Sequence, residues 1–301
     1  MCGIAGLFSK SPDLSESLGR HLAEMLLQLG DRGPDSAGVA VYRDRVASGC
    51  TKVTMHSADP RQDWRGVQSA LAQAVGAGEP EVRASHAVIV VESDAETTVS
   101  WLRERYPELR VMSAGEAIEI YKEAGLPSAF VERFDLASMS GTHALGHTRM
   151  ATESKVTTDG SHPFSTGLDL CLVHNGSLSN HNRLREQLRA EGIEFQTLND
   201  TEVAAGYLTW KLREGASLEA ALEGCLEDLD GFYTFAVGTV DGFAVLRDPI
   251  ACKPAVLAES DDWVAMASEY RAIAALPGAD DADMWEPEPG QVYSWDRAPV
   301  T

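Results

Sequence analysis

Apolar positions along the chain follow two periods, and the switches between them mark the elements. Residues 3–9 (GIAGLFS) form a short apolar run suited to a buried strand. Over residues 14–29 the positions Leu18, Leu22, Met25, Leu26 and Leu29 recur at helical spacing, and Gly30 stands where a helix C-cap is expected. The polar stretch 31–38 (DRGPDSAG), punctuated by Gly and Pro, predicts a loop feeding a strand at 39–42, with another strand at 45–55. From 56 to about 140 the character changes. Helices over 64–75, 95–106 and 114–124 alternate with strands at 87–92 and 109–113, which predicts a small α/β lobe inserted at about 57–138. His56 and His86 lie in it without ligand spacing or a paired carboxylate, and are read as structural or surface residues.

Beyond the insertion, 144–152 (ALGHTRMAT) begins apolar and turns polar midway, 158–164 is a loop and 168–174 a strand. Asn175-Gly176 comes next. Asn-Gly is a strong hairpin signal, yet a helix at 182–191 follows instead of a partner strand, so a turn and an anion-binding loop both stay open. Asn199-Asp200-Thr201-Glu202 opens a helix over 203–212, and read alone it is an N-cap. A helix at 218–229 has Ser217 placed to cap it. Strands at 232–240 and 242–246 are joined by Asp241-Gly242, a good hairpin signal. Strands at 255–258 and 263–267, a short helix at 270–276, an acidic surface loop at 278–289 and a final strand at 291–295 complete the pattern, with no internal repeat.

Composition narrows the class. The 301 residues are 44% hydrophobic and 24% charged, enough for a packed core and too apolar for a disordered chain. The formal charge of −21 argues against nucleic-acid binding, because phosphate would be repelled. No apolar run is long enough for a membrane helix, and the N-terminus has no basic and apolar signal regions. Five scattered cysteines (Cys2, Cys50, Cys171, Cys225, Cys252) without a CxxC pair fit a reducing cytoplasm better than a disulfide framework, a zinc site or an iron–sulfur cluster.

Candidate chemistry begins at Met1-Cys2-Gly3. Methionine removal would leave the Cys2 thiol and a free α-amine on one residue, a nucleophile with its own base. Met-Cys-Gly alone is weak evidence for this, because free cysteines more often serve as ordinary buried small residues, here at the start of a strand.

The blocks MCGIAGLF, DRGPDSAG, GHTRMAT, HPF, VHNGSLSNHNRLREQL, NDTEVAAGYL, GFYTFAV, LRDPIACKP, ASEYRAI and EPGQVY occur in the order found in glutamine amidotransferases of class II, the N-terminal-cysteine type. The chain resembles that family over its whole length, 1–301, apart from the insertion at about 57–138. The resemblance implies an α+β fold, a four-layer αββα N-terminal-nucleophile hydrolase sandwich of mostly antiparallel sheets. It also implies that Cys2 attacks the glutamine carboxamide and that the Asn175 side chain and Gly176 N–H hold the oxyanion. Arg149 and Asp200 would bind the substrate α-carboxylate and α-ammonium, a charge pair suited to a free amino acid. Thr152, His162, Arg32 and Gly33 would shape the pocket, and His147 would be structural. Met150 stands where many members carry an aromatic residue, and Glu153-Ser154 where they carry histidine, glycine or asparagine.

No synthase module or phosphate-binding glycine loop is present in the sequence, so the expected partner is a separate ammonia-accepting synthase subunit. GHTRMATES, GSHPFSTG, DLCLVHNGSLSN and RDPIACKP are most similar to stand-alone subunits related to glutamate synthase, including the A-type subunit of N-methylglutamate synthase. That resemblance implies no cofactor in this chain, with FMN and an iron–sulfur cluster on the partner. Two other readings stay open: an amidase for another γ-glutamyl amide, and a regulatory subunit that has lost its chemistry.

Overall fold

In the computed structural model, which describes residues 1–151 and 155–297, the first apolar run is the strand Gly3–Ser9, buried throughout. It pairs antiparallel with His143–Arg149 on one side and Trp263–Ala267 on the other. Ser36–Tyr42 and Ile118–Ala124 extend the sheet beyond the former; Val256–Glu259 and Asp283–Trp285 extend it beyond the latter. A second antiparallel sheet runs in the order Val292–Asp296, Gly242–Arg247, Gly231–Gly238, Cys171–Leu178.

Strand alternation sets the layers. Ile4 and Phe8 face the second sheet and pack with Val173, Ala236, Phe243 and Val245. Ala5 and Leu7, pointing the other way, meet Leu18, Leu22, Met25 and Leu26 of the helix Leu18–Gln28. On the far side, the helices His181–Ala190, Asp200–Arg213 and Leu218–Asp228 bury Leu184, Tyr207 and Leu222 among Leu172, Phe235 and Leu246 of the second sheet. The result is the expected four-layer αββα sandwich.

A third antiparallel sheet, in the order Glu81–Arg83, His86–Val91, Thr51–His56, Arg110–Gly115, carries the helices Trp64–Val75 and Ala95–Arg105. Its own core includes Val53, Met55, Trp64, Leu71, Ile89 and Leu102. These lobe elements span 51–115. The main sheet reclaims Ile118–Ala124, and Phe130 and Phe134, from and just after the helix Pro127–Arg133, pack in its outer helical core.

Several elements differ from the pattern-based expectation. The helix expected over 114–124 is the strand Ile118–Ala124, because Ile118 and Ile120 face the inter-sheet core while Glu119 is buried on the opposite face. Glu119 is tolerated there through Lys52 Nζ at 3.0 Å and the Tyr121 hydroxyl at 2.8 Å, partners the local pattern does not reveal. The single helix expected over 14–29 is two, Pro12–Glu16 and Leu18–Gln28, and Gly30 opens a 3-10 turn, Gly30–Arg32, in place of capping. Only Thr51–His56 of the expected strand 45–55 forms, and the loop expected at 278–289 contains the strand Asp283–Trp285. Asn175-Gly176 is neither turn nor loop: it lies inside Cys171–Leu178, paired with Thr234 and Tyr233.

Candidate active site

The site forms where three strand ends of the first sheet meet the second. Gly3 pairs with Thr148, so continuing that register brings Cys2 level with Arg149. The Cys2 Sγ accepts from Met150 N–H at 3.4 Å, its thiol lies 3.7 Å from Met150 O, and the Met1 amine is 2.9 Å from Met150 Sδ. On the other flank, Ser268 continues the register of Trp263–Ala267 and grips Ile4 twice. Its N–H donates to Ile4 O at 3.0 Å, and its Oγ accepts from Ile4 N–H at 2.9 Å.

Asn175 reaches this edge from the second sheet. Its Nδ2 donates to Cys2 O at 3.1 Å and to Ser268 Oγ at 3.0 Å. An amide has two N–H donors, so both are engaged, and serving an oxyanion requires exchange of Cys2 O for the substrate oxygen. Gly176 sits beside it at φ +146°, and a Cβ there would overlap the Phe232 carbonyl oxygen and crowd Tyr233 Cα, so only glycine fits this strand position.

Arg32 closes the Cys2 side. Its Nε donates to Cys2 O at 3.0 Å, and its Nη1 pairs with Glu269 Oε1 at 2.6 Å. That bond to Arg32, followed in effect by Arg271, holds the Glu269 carboxyl below its ordinary range. Gly33 packs flat on the end of the neighbouring strand, where a Cβ would collide with the Thr148 carbonyl and the Arg149 nitrogen. The chain then wraps Arg149: Asp35 N–H donates to Arg149 O at 3.0 Å, and Asp35 Oδ2 accepts from Ala151 N–H at 2.8 Å. Arg149 itself is 6% exposed, ending a strand paired with Ser36.

Asp200 is the first residue of the helix Asp200–Arg213, which Asn199 caps by accepting from Thr201 N–H at 2.8 Å. The Asp200 carboxylate accepts from Leu178 N–H at 3.0 Å and lies 3.9 Å from His174 Nδ1. Thr201 Oγ1 joins two histidines, at 2.7 Å from His162 Nε2 and 3.0 Å from His174 Nδ1. His162 stacks on His147 with centroids 4.0 Å apart, and His147 Nε2 donates to His174 O at 3.2 Å. Burial pushes His147 down to about 3 and lowers His162 and His174 too, so all three work as neutral hydrogen-bonding groups near pH 7.

Cys2, Arg32, Asn175 and Met150 thus touch directly, with Gly33, Arg149 and Gly176 beside them, while His162 and Asp200 join through Thr201 and His174. Thr152 and Glu153 lie outside the described residues. Ser268, Glu269, His174 and Thr201 were not singled out from sequence. The signal for the first two was the ASE at the exit of a strand that flanks Gly3–Ser9. Among the described residues, no group of three or more His, Cys, Asp or Glu is placed to hold a metal ion, and no helix is long and apolar enough to cross a membrane.

A thiol at the head of a central strand in an αββα sandwich defines an N-terminal-nucleophile hydrolase. A family model described as a glutamine amidotransferase domain matches residues 147–275. The glutamine amidotransferase-like protein GlxB of Rhizobium meliloti (strain 1021) is 54% identical over 301 residues, covering 99% of each chain. A putative glutamine amidotransferase of Methanothermobacter thermautotrophicus is 33% identical over 305 residues, 97% of this chain and 99% of that protein. Among solved structures, the glutamine phosphoribosylpyrophosphate amidotransferase of B. subtilis superposes with a TM-score of 0.63 at 21% identity, over 98% of this chain and 47% of that one. The chain belongs to the class II glutamine amidotransferases.

Proposed function

We propose that the chain is a glutaminase that hydrolyses L-glutamine to L-glutamate and ammonia. The observation that carries this reading is the convergence of the Asn175 amide, the Arg32 guanidinium and the Arg149 strand end on Cys2. After removal of Met1, the Cys2 thiol passes its proton to the α-amine, and the thiolate adds to the γ-carboxamide carbon. The Asn175 side chain and the Gly176 N–H receive the oxyanion, each such donor being worth roughly 3–4 kcal/mol in the transition state. As the intermediate collapses, the leaving nitrogen takes the proton from the α-ammonium and departs as ammonia, and a γ-glutamyl thioester remains. Water then adds to the thioester while the α-amine takes its proton, the thiolate leaves and recovers that proton, and glutamate is released. Arg149 binds the α-carboxylate and Asp200 the α-ammonium, while Thr152, His162, Arg32 and Gly33 shape the pocket.

Ammonia goes to a separate synthase subunit, glutamate-synthase-like or N-methylglutamate-synthase-like, which carries FMN and an iron–sulfur cluster; this chain holds no cofactor of its own. The chain is one glutaminase domain with an inserted lobe, working in the cytoplasm. The test is intact-protein mass spectrometry with 6-diazo-5-oxo-L-norleucine. Loss of Met1 and one stoichiometric adduct on Cys2, prevented by glutamine, is expected. A Met-processed protein that stays unlabelled with and without its partner refutes the reading.

A further inference from the structure

Lys122 lies on the edge strand Ile118–Ala124, outside every motif of the family resemblance, with its side chain buried. Its Nζ donates to three backbone carbonyls of a single turn: Asp159 at 3.1 Å, Ser161 at 2.9 Å and Pro163 at 3.2 Å. An ammonium has three N–H donors and no acceptor, so donors and carbonyls match one for one. The Phe164 ring lies 4.3 Å from the same nitrogen. The turn is pressed onto the sheet beside it: a Cβ at Gly38 would collide with both His162 O and Lys122 Cβ.

That turn carries His162, whose ring is wedged between two elements. One face stacks on His147, two residues before Arg149 in the same strand, and Nε2 meets the hydroxyl of Thr201, the neighbour of Asp200. We infer that Lys122 is a positioning residue for the amino-acid clamp: by holding the 159–163 turn it keeps His162 seated and thereby fixes the spacing of Arg149 and Asp200. The inference rests on the glutaminase reading.

Burial draws the Lys122 ammonium down to about 8; the carboxylates of Asp159 and Glu202 favour its charge and Arg149 opposes it. Arg110 faces Asp159 at 3.4 Å. Burial keeps His56, His86 and His162 neutral nearby, and the Lys122 charge contributes to this. Once neutral, the amine keeps two donors and turns a lone pair toward a carbonyl, so one of the three bonds is lost and the turn loosens. Global stability moves the other way. An unfolded lysine holds its proton up to about 10.5, so between about 8 and 10.5 the unfolded state binds more protons and folding gains as pH rises. The Lys122 titration itself therefore stabilises the fold over the range in which it loosens the turn.

The test compares Met-processed wild-type protein with Lys122→Met, labelled at Cys2 by 6-diazo-5-oxo-L-norleucine or by iodoacetamide, which has no amino-acid head group. The variant is expected to lose tenfold or more in its rate with the glutamine analogue, and to stay within twofold for iodoacetamide. KM for glutamine should rise about tenfold while kcat changes less than threefold. In the wild type, the ratio of the two labelling rates should fall between pH 7 and 8.5, the ratio cancelling ionisation of Cys2 itself. A folded variant with unchanged selectivity and KM overturns the inference. If the variant does not fold, a wild-type ratio flat from pH 7 to 8.5 overturns it alone. If the wild type shows no glutamine-protected labelling by the analogue, the glutaminase reading fails first and this inference fails with it.

Discussion

Acid is the perturbation whose effect on this protein can be worked most directly from the structure. His143 and His147 are both fully buried, on the strand that flanks Gly3–Ser9. His143 accepts from Thr142 at Nδ1 (2.9 Å), donates to Thr239 O from Nε2 (2.8 Å) and stacks on Tyr42, all as a neutral ring. Burial takes both histidines from 6.5 to about 3. In the window from about 6.5 to 3 the unfolded chain binds two protons that the folded chain refuses, so stability is intact above 6.5 and is lost as pH falls. From pH 7 to 5 each ring contributes a loss of about 2 kcal/mol, about 4 kcal/mol for the pair. The shifts of His86, His162 and His174 have the same sign and steepen the fall. Against a total stability of roughly 5–15 kcal/mol, that is a large fraction. Urea titrations at pH 7, 6 and 5, followed by tryptophan fluorescence, should show the midpoint falling with an unchanged m-value. His143→Gln should reduce the slope by about 1.4 kcal/mol per pH unit while lowering stability at pH 7. A midpoint flat from pH 7 to 5, or His143 and His147 resonances titrating near 6.5, would refute the reasoning.

Gly176→Ala forces a Cβ onto the Phe232 carbonyl at φ +146° and should cost about 2–4 kcal/mol, read from urea unfolding, together with loss of glutaminase activity. An alanine variant as stable as wild type would show that the strand accommodates a side chain there. Ser268→Ala removes the acceptor for both Ile4 N–H and Asn175 Nδ2. It should cost roughly 1–3 kcal/mol in stability and lower kcat about tenfold to a hundredfold, with KM little changed, because Asn175, the proposed oxyanion donor, is released from its rotamer.

The main sandwich was legible because its elements obey simple periods. Gly3–Ser9 and Trp263–Ala267 sit where the apolar runs put them, and Ser217 and Asn199 cap the helices they precede. The failures share one cause, tertiary partners that override local preference. Glu119 and Lys122 look like helix-surface residues, yet each is buried in a strand and satisfied from distant segments: Glu119 by Lys52, Lys122 by three carbonyls about forty residues on. Ser17 interrupts a continuous helical stripe because Gly19 N–H bonds Met139 O, across 120 residues of chain.

Of the proposed site, Cys2, Arg149 and Asn175 were named through the family resemblance of the blocks that hold them, and the structure brings Asn175 and the end of the Arg149 strand to Cys2. The supports could not be named, because nothing in a run such as ASEYRAI says which neighbour its serine will face. Only the register of Trp263–Ala267 against Gly3–Ser9 brings Ser268 beside Ile4, and only the stacking of the two sheets brings Asn175 to the same hydroxyl. Cys2 and Asn175, the proposed nucleophile and oxyanion amide, therefore sit on different sheets, and the apolar layer between them sets their separation. Ile4 and Val173, each two residues from a member of the pair, belong to that layer. Because interiors pack as closely as organic crystals, shortening either side chain shifts one sheet edge against the other. Changes to Ile4 or Val173 should thus lower kcat more than their loss of stability accounts for, whereas equal truncations in the outer helical cores should cost stability alone.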